Sequence, residues 1–298
     1  MNKLSEHTVF GVVGGDLRQA ALANFLLRQG YEVHAFFLDQ QPLLDRQYIS
    51  SDPAGLGCCD VVVFPLPVSD ENGALNAPLY SGSIPLSDCL NCCRSDAFLL
   101  GGKISDRDRL TAQEAGHRMS DYLTREEMAV LNAVPTAEGA VGIALSERAS
   151  TLWESHCLIT GFGRCGKALA LLLKGFGAHV TVAARSAGEL AFARTLGLNT
   201  ISLSKVDSIL PEQEIIFNTI PSPVLGEKSL QLVAEDCLLI DLASRPGGID
   251  FAAAGQLGRK TIWALSLPGK VSPITAGNII CDTVINMITE RGDLIENN

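Results

Sequence analysis

The sequence predicts a two-domain α/β protein built on parallel sheets, and three observations predict it. Its 298 residues are enough for two cores of ordinary size. Short apolar runs alternate with helix-like stretches throughout, as in parallel strands joined by crossover helices. Each half also opens on strand, glycine turn and helix.

In the first half, Val9 to Val13 is a strand, Gly14-Gly15-Asp16 its turn, and Leu17 to Gln29 a helix with Leu22, Phe25 and Leu26 on one face, stopped by Gly30. Asp16 is placed to cap that helix. Further strands follow at Tyr31 to Leu38, Asp60 to Phe64 and Ala97 to Leu100. The expected plan is flavodoxin-like, with a parallel sheet of about four or five strands. Residues 65–94 are rich in Pro, Ser, Asn and Gly, and a loop of that length is a candidate lid or binding loop. A helical region is expected over Asp106 to Thr124, then an apolar piece from Met128 to Val134. After Pro135, Thr136 is expected to cap a connector helix from Ala137 to about Arg148. The domains are therefore drawn as 1–134 and 135–274. A last segment at about 275–298, helical to about Glu290, has a return to the first domain as one option.

The second half reads more clearly. Strands fall at His156 to Thr160, Ala178 to Ala184, Asn199 to Leu203, Glu214 to Thr219, Cys237 to Asp241 and Thr261 to Leu265, with helix-like segments between them. That alternation predicts a doubly wound parallel sheet.

The formal charge, 23 minus 33 or −10, and the lack of any basic run exclude the phosphate-neutralising surface of a nucleic-acid binder. The polar stretch Met1 to Thr8 and the lack of an apolar run near ~20 residues lead to an expectation of no membrane span and a cytoplasmic location. Nine cysteines, an odd number, speak for reduced thiols. Cys89, Cys92 and Cys93 form a C-x-x-C-C run, but no second pair completes a ligand set. They are read as ordinary loop cysteines, with no metal expected.

Gly161-Phe162-Gly163-Arg164-Cys165-Gly166 fits G-x-G-x-x-G. An apolar strand precedes it, and a helix follows with Leu169, Leu172, Leu173 and Phe176 on one face. That context marks a Rossmann NAD(P)-binding domain. Gly161 allows the turn, Gly163 lets backbone amides approach a pyrophosphate, and Gly166 allows close helix-to-strand packing; Arg164 adds positive charge at the mouth. At the end of the next strand, where an NAD enzyme carries Asp or Glu, stand Arg185 and Ser186. They suit the 2′-phosphate of NADP, against the alternative of a solvated arginine. NAD is the second choice of cofactor.

Loops at the carboxyl ends of the later strands supply more candidates. Asn218, Thr219, Pro221, Asp241 and Ala243 are assigned to the cofactor. Ser244, Gly247, Gly248, Pro268 and Gly269 are assigned to substrate. Arg245 and Lys270 are the cations expected to hold an anionic substrate, with surface solvation as the competing account. From the first domain and the connector, Arg18, Ser69 and Thr136 are expected to help close the crevice, with Glu138 as proton acceptor. No histidine lies in the glycine-rich loops.

Taken together, Gly14-Gly15-Asp16 with Arg18-Gln19, Leu66-Pro67-Val68-Ser69, Pro135-Thr136-Ala137-Glu138-Gly139, Gly161-Phe162-Gly163-Arg164, Ala184-Arg185-Ser186, Asn218-Thr219-Ile220-Pro221-Ser222, Asp241 to Gly248 and Leu267-Pro268-Gly269 resemble the family of dipicolinate synthase A subunits. Residues 72–103 add no motif to this likeness. The resemblance implies oxidation of a dihydrodipicolinate-type intermediate of the lysine pathway to pyridine-2,6-dicarboxylate in the mother cell of a sporulating bacterium. It also implies a partner, the flavoprotein-like B subunit of the synthase. A dicarboxylate suits Arg245 and Lys270, and aromatisation lessens the need for a strong base. Two alternatives stand beside it. One is an NADP(H)-binding subunit whose partner carries the redox step. The other is a different two-domain 2-oxo- or amino-acid dehydrogenase, which would need a lysine such as Lys103 and a histidine beside the nicotinamide. A homo-oligomer is left open.

Overall fold

The apolar runs of the sequence become twelve strands in two sheets, among the residues described by the computed structural model, 4–5 and 7–292. Positions 1–3 and 6 of the polar N-terminal stretch, and the end of the last expected segment, 293–298, lie outside the described residues. The chain divides into two units, residues 1–131 with 272–298, and residues 132–271.

The first unit contains β1 (Val9–Val13), α1 (Leu17–Arg28), β2 (Glu32–Phe36), β3 (Ile49–Ser50), β4 (Val61–Val63), α2 (Leu86–Cys92), β5 (Phe98–Gly101), α3 (Asp106–Glu114) and β6 (Met119–Asp121). Its sheet is wholly parallel, in the order β3-β2-β1-β4-β5-β6. The five longer strands keep the flavodoxin-like order, and the two-residue β3 extends the edge beyond β2. The sheet thus has six strands, where about four or five were expected. Period-2 alternation divides the core: Phe10, Val12, Val61 and Val63 face one cluster with Leu22 and Ile280, while Val13 and Val62 face another with Leu86 and Leu90. The expected helix over 106–124 ends at Glu114. Gly116, with φ +82°, breaks it, and Met119–Asp121 joins the sheet instead.

α4 (Glu126–Glu147) carries the chain from the first unit into the second as one helix with Pro135 inside it. Thr136 therefore caps nothing. It sits in the helix interior, and its hydroxyl donates to the Asn132 carbonyl at 2.8 Å. At 22 residues, with a mean hydropathy of 1.4 over its most apolar 18-residue window, α4 is long and apolar enough to cross a membrane by length and composition, contrary to the sequence expectation. Ala137, Ala140, Val141 and Ala144 spend part of that apolarity in the core of the second unit.

The second unit contains β7 (His156–Thr160), α5 (Arg164–Gly175), β8 (His179–Ala184), α6 (Ala187–Thr195), β9 (Asn199–Ser202), β10 (Ile215–Asn218), α7 (Glu227–Leu232), β11 (Leu238–Asp241), α8 (Phe251–Gln256), β12 (Thr261–Trp263) and the short helix α9 (Leu267–Val271). Its parallel sheet runs β12-β11-β10-β7-β8-β9, the doubly wound order with the reversal between β7 and β10. α10 (Pro273–Arg291) belongs to the first unit, where it packs on α1. A Cβ at Gly277 would stand 2.4 Å from the Arg18 carbonyl oxygen, so the two helices touch at backbone distance.

Candidate functional site

The turn after β7 is shaped by its three glycines in different ways. Gly161 adopts φ +92°, and a Cβ there would stand 2.4 Å from the Thr219 hydroxyl. A Cβ on Gly166 would stand 2.4 Å from the Gly161 carbonyl oxygen, so helix and turn are in contact. Gly163 differs: it is the N-cap of α5, no side chain caps that end, and nothing lies within 4 Å of where its Cβ would be. Open space therefore lies beside the N-cap of α5, at the positive end of the helix dipole, where a pyrophosphate would approach. The residues fit a dinucleotide. Arg164 is exposed beside them. The Phe162 side chain is 1% exposed and packs toward Phe192, so only its backbone stands at the turn.

β8 ends at Ala184, and the exposed Arg185 reaches across to the loop after β10, donating from Nη2 to Ser222 Oγ at 3.3 Å. Ser186 caps α6, its hydroxyl accepting from the Glu189 amide at 3.4 Å. Pro221 is exposed on the same loop as Ser222. A cation, two hydroxyls and a second helix N-terminus therefore gather at the mouth of β8.

Asn218 and Asp241 are last residues of neighbouring strands and lie in register. Both are 0% exposed, and their side chains bond inward. Asn218 Oδ1 accepts from the Thr160 hydroxyl at 2.7 Å, while its Nδ2 donates to Asp241 Oδ1 at 2.7 Å and to the Ile220 carbonyl at 3.0 Å. Asp241 also accepts from the amides of Ala243, Gly248 and Ile249 at 2.9, 2.8 and 3.1 Å. Thr219 donates to the Thr160 carbonyl at 2.9 Å. Asn218 and Asp241, assigned to the cofactor, thus turn their side chains inward and hold the loops, while Thr219 stays half-exposed. Gly247 and Gly248, assigned to substrate, are buried against Asp241 and Asn218, and Ala243, assigned to the cofactor, is buried as well. Ser244 and Arg245 are exposed, with the guanidinium 5.7 Å from the Trp263 ring centre. The segment 267–270, read as a loop, is the start of α9; Pro268 is buried, Gly269 half-buried and Lys270 exposed. Glu138 is exposed on α4.

The glycine turn of the first unit is tied by bonds within its own chain. The Asp16 carboxylate caps α1 through the Arg18 amide at 3.0 Å, and the Asn76 carbonyl accepts from the Gly15 amide at 2.8 Å. Arg18, 14% exposed, is gripped by Asp16 and the Leu66 carbonyl, so its charge is answered locally. The Ser69 hydroxyl donates to the buried Asp108 carboxylate. Both residues, assigned to substrate, are thus engaged within the first unit. Burial pushes the Cys93 thiol up to about 12 and raises Cys89 further. No group of three or more metal-ligating residues suited to an ion occurs among the described residues.

Residues 9–123 match the family model described as the N-terminal domain of the dipicolinate synthase A subunit, a match that runs through residues 72–103. The dipicolinate synthase A subunit of Bacillus subtilis (strain 168) is 28% identical over 285 residues, covering 94% of this chain and 95% of that protein. The crystal structure of the dipicolinate synthase A subunit from Bacillus halodurans superposes with a TM-score of 0.86 at 27% identity, covering 96% of this chain and 98% of that one. The chain is a relative of these A subunits. Its second unit carries the matching family model of a D-isomer specific 2-hydroxyacid dehydrogenase, NAD binding domain, over residues 137–253, so the cofactor class is a nicotinamide dinucleotide. A transhydrogenase from Sinorhizobium meliloti, at 17% identity and a TM-score of 0.72 over 96% of this chain and 95% of that one, shares the fold.

Within this relative of the dipicolinate synthase A subunits, the structure brings Gly163, Arg185, Ser186 and Ser222 to the carboxyl edge of one sheet. Ser222 is the site residue that the sequence reading did not assign. Its signal was its place, four residues past the end of β10 in a loop facing the β8 end.

Proposed function

We propose that this chain is the NADP-linked dehydrogenase subunit of a dipicolinate synthase, oxidising a dihydrodipicolinate-type ring to pyridine-2,6-dicarboxylate in the cytoplasm of a sporulating mother cell, and that its partner is a flavoprotein-like B subunit. One observation carries the redox reading: the uncapped N-terminus of α5 at Gly163, with room for a pyrophosphate, in a chain similar along nearly its whole length to a dipicolinate synthase A subunit.

The α5 amides hold the pyrophosphate, and Arg185 with Ser186 and Ser222 holds the 2′-phosphate, favouring NADP over NAD. A bound nicotinamide supplies a two-electron hydride acceptor. Arg245 and Lys270, both exposed, attract and orient the carboxylates of the ring. Glu138 is the group assigned to take the proton released as the ring becomes aromatic. Removal of one hydride and one proton from the dihydropyridine leaves the pyridine, which balances the reaction.

A second reading, in which this chain binds the nucleotide while its partner performs the redox step, turns on whether Arg245 and Lys270 reach the nicotinamide, since neither histidine of the second unit stands at that end of the sheet. His156 and His179 stand at the amino ends of β7 and β8, opposite the edge that carries Gly163 and Arg185. The deciding experiment follows dipicolinate by its ultraviolet absorbance, from enzymatically generated dihydrodipicolinate and NADP, with the chain alone and then with its flavoprotein-like partner. Turnover by the chain alone establishes the dehydrogenase. Turnover only with the partner favours the second reading, and none in either case removes the substrate assignment.

A further inference from the structure

Asp241 is a carboxylate with no exposed surface, and each of its four bonds comes from a neutral N–H: the Asn218 side chain and the amides of Ala243, Gly248 and Ile249. The first two meet Oδ1 and the last two Oδ2, so both oxygens are needed as acceptors. A buried group of this kind is costly unless fully bonded, and here it closes the loop 242–249 onto the sheet from beneath. The same loop is tied from the side, where Trp263 Nε1 donates to the Ala243 carbonyl at 3.0 Å. Arg245 lies at the tip of the loop, over the ring of that Trp263, which stacks on Phe251 at 4.8 Å between ring centres. Through Asn218 the carboxylate also reaches the Ile220 backbone, at the start of the loop that carries Ser222.

We propose that Asp241 is a positioning residue that fixes the loop 242–249 and thereby sets Arg245 for an anionic substrate; the assignment of that substrate rests on the proposed function. The carboxylate is wholly buried and bonds only the loop amides and Asn218, so it acts through the loop. Its chemistry cannot be replaced by the isosteric amide. In Asp241→Asn the new NH₂ faces either Asn218 Nδ2 and the Ala243 amide, or the Gly248 and Ile249 amides. Either way two donors meet a donor, and two bonds are lost. The Gly161–Gly166 turn receives no bond from Asp241.

The test uses the full chain as Asp241→Asn, Arg245→Ala and the double variant, with hydrogen exchange, NADPH fluorescence titration and binding of dipicolinate itself as the dicarboxylate probe. Asp241→Asn should speed amide exchange in residues 242–249 by at least about tenfold while residues 161–176 keep their protection. It should leave NADPH affinity within about threefold and weaken dipicolinate by about tenfold or more. In the Arg245→Ala background it should cost no further dipicolinate affinity, because the residue acts through that arginine. A merely structural carboxylate would instead lower both affinities together, with exchange rising across the unit, and that outcome overturns the proposal. So does unchanged exchange at 242–249, or an equal loss of dipicolinate affinity in both backgrounds. Failure of the unsubstituted chain to bind dipicolinate would sink both the substrate assignment and the role given to Arg245, whereas loop exchange separately decides whether Asp241 holds the loop. Should Asp241→Asn not fold, Asn218→Ala, which removes one of the four donors together with its own bonds to Thr160 and Ile220, is read on exchange at 242–249 and on dipicolinate affinity alone, and both should change in the same directions to a smaller extent.

Discussion

Replacing Gly163 and Gly166 by alanine, one at a time, separates what the glycine turn does for the fold from what it does for a ligand. At Gly166 the added methyl would lie 2.4 Å from the Gly161 carbonyl oxygen and 3.1 Å from its carbon. Both are backbone atoms, so helix and turn must move apart. Such overpacking costs about 1–3 kcal/mol, a fall of roughly 3–10 °C in thermal midpoint for a unit of this size. At Gly163 the methyl meets nothing within 4 Å, and φ −74° with ψ −158° is open to any residue. Alanine is a poorer N-cap than glycine by about 0.5–1 kcal/mol, and the lower entropy of its unfolded chain offsets about as much, so stability should stay within about 1 kcal/mol. The same methyl stands where the pyrophosphate must approach, and NADPH affinity should fall at least about tenfold. Scanning fluorimetry and NADPH fluorescence titration on both variants check this. A Gly163→Ala chain that is stable and binds NADPH like its parent would refute the placement of the dinucleotide at this turn.

Arg185→Asp should weaken NADP by about tenfold to a hundredfold through loss of charge-assisted hydrogen bonds while sparing NAD; competitive titration with both nucleotides tests it, and an unchanged preference would remove Arg185 from the 2′-phosphate. The Arg125 guanidinium bonds Glu290 of α10 and Glu127 of α4 and holds both carboxyls below the usual glutamate range. Because their folded values are lowered, they stabilise the first unit above the ordinary glutamate value, and that contribution is lost as pH falls through the lowered values. Between about pH 6 and about pH 3 the thermal midpoint should fall further for the parent than for Arg125→Ala, and parallel curves would contradict this. With a disulfide reagent, the exposed Cys58 should react ahead of the buried Cys59, Cys89 and Cys93, whose thiols burial pushes up. Mass mapping of the first modified site would show the reverse if the reasoning fails.

The elements legible in the sequence were those in which local pattern and tertiary role coincide. β7, α5 and β8 combine an unbroken apolar run, a glycine turn and a helix with one apolar stripe, and each lies within a residue or two of its expected place. β3 and β6 were not legible. Ile49–Ser50 and Met119–Asp121 are too short to alternate, and they become strands only because an existing sheet edge offers hydrogen bonds. Pro135 misled for a related reason: a proline reads as a break, yet α4 is held on both sides of it by packing. In the site, Asn218 and Asp241 were legible as polar residues at strand ends, where ligands bind. Which way a strand-end side chain turns depends on partners far along the chain, here Thr160 for Asn218 and Asn218 for Asp241, and no local pattern reports that.

The glycine turn of the first unit has its amides answered by the protein itself, by the Asn76 carbonyl and the Asp16 carboxylate. Those oxygens act as a built-in tenant, whereas the N-cap of α5 has no side chain bonded across it. Two similar strand–turn–helix openings therefore have unequal standing, and a calorimetric titration should saturate at a single dinucleotide per chain.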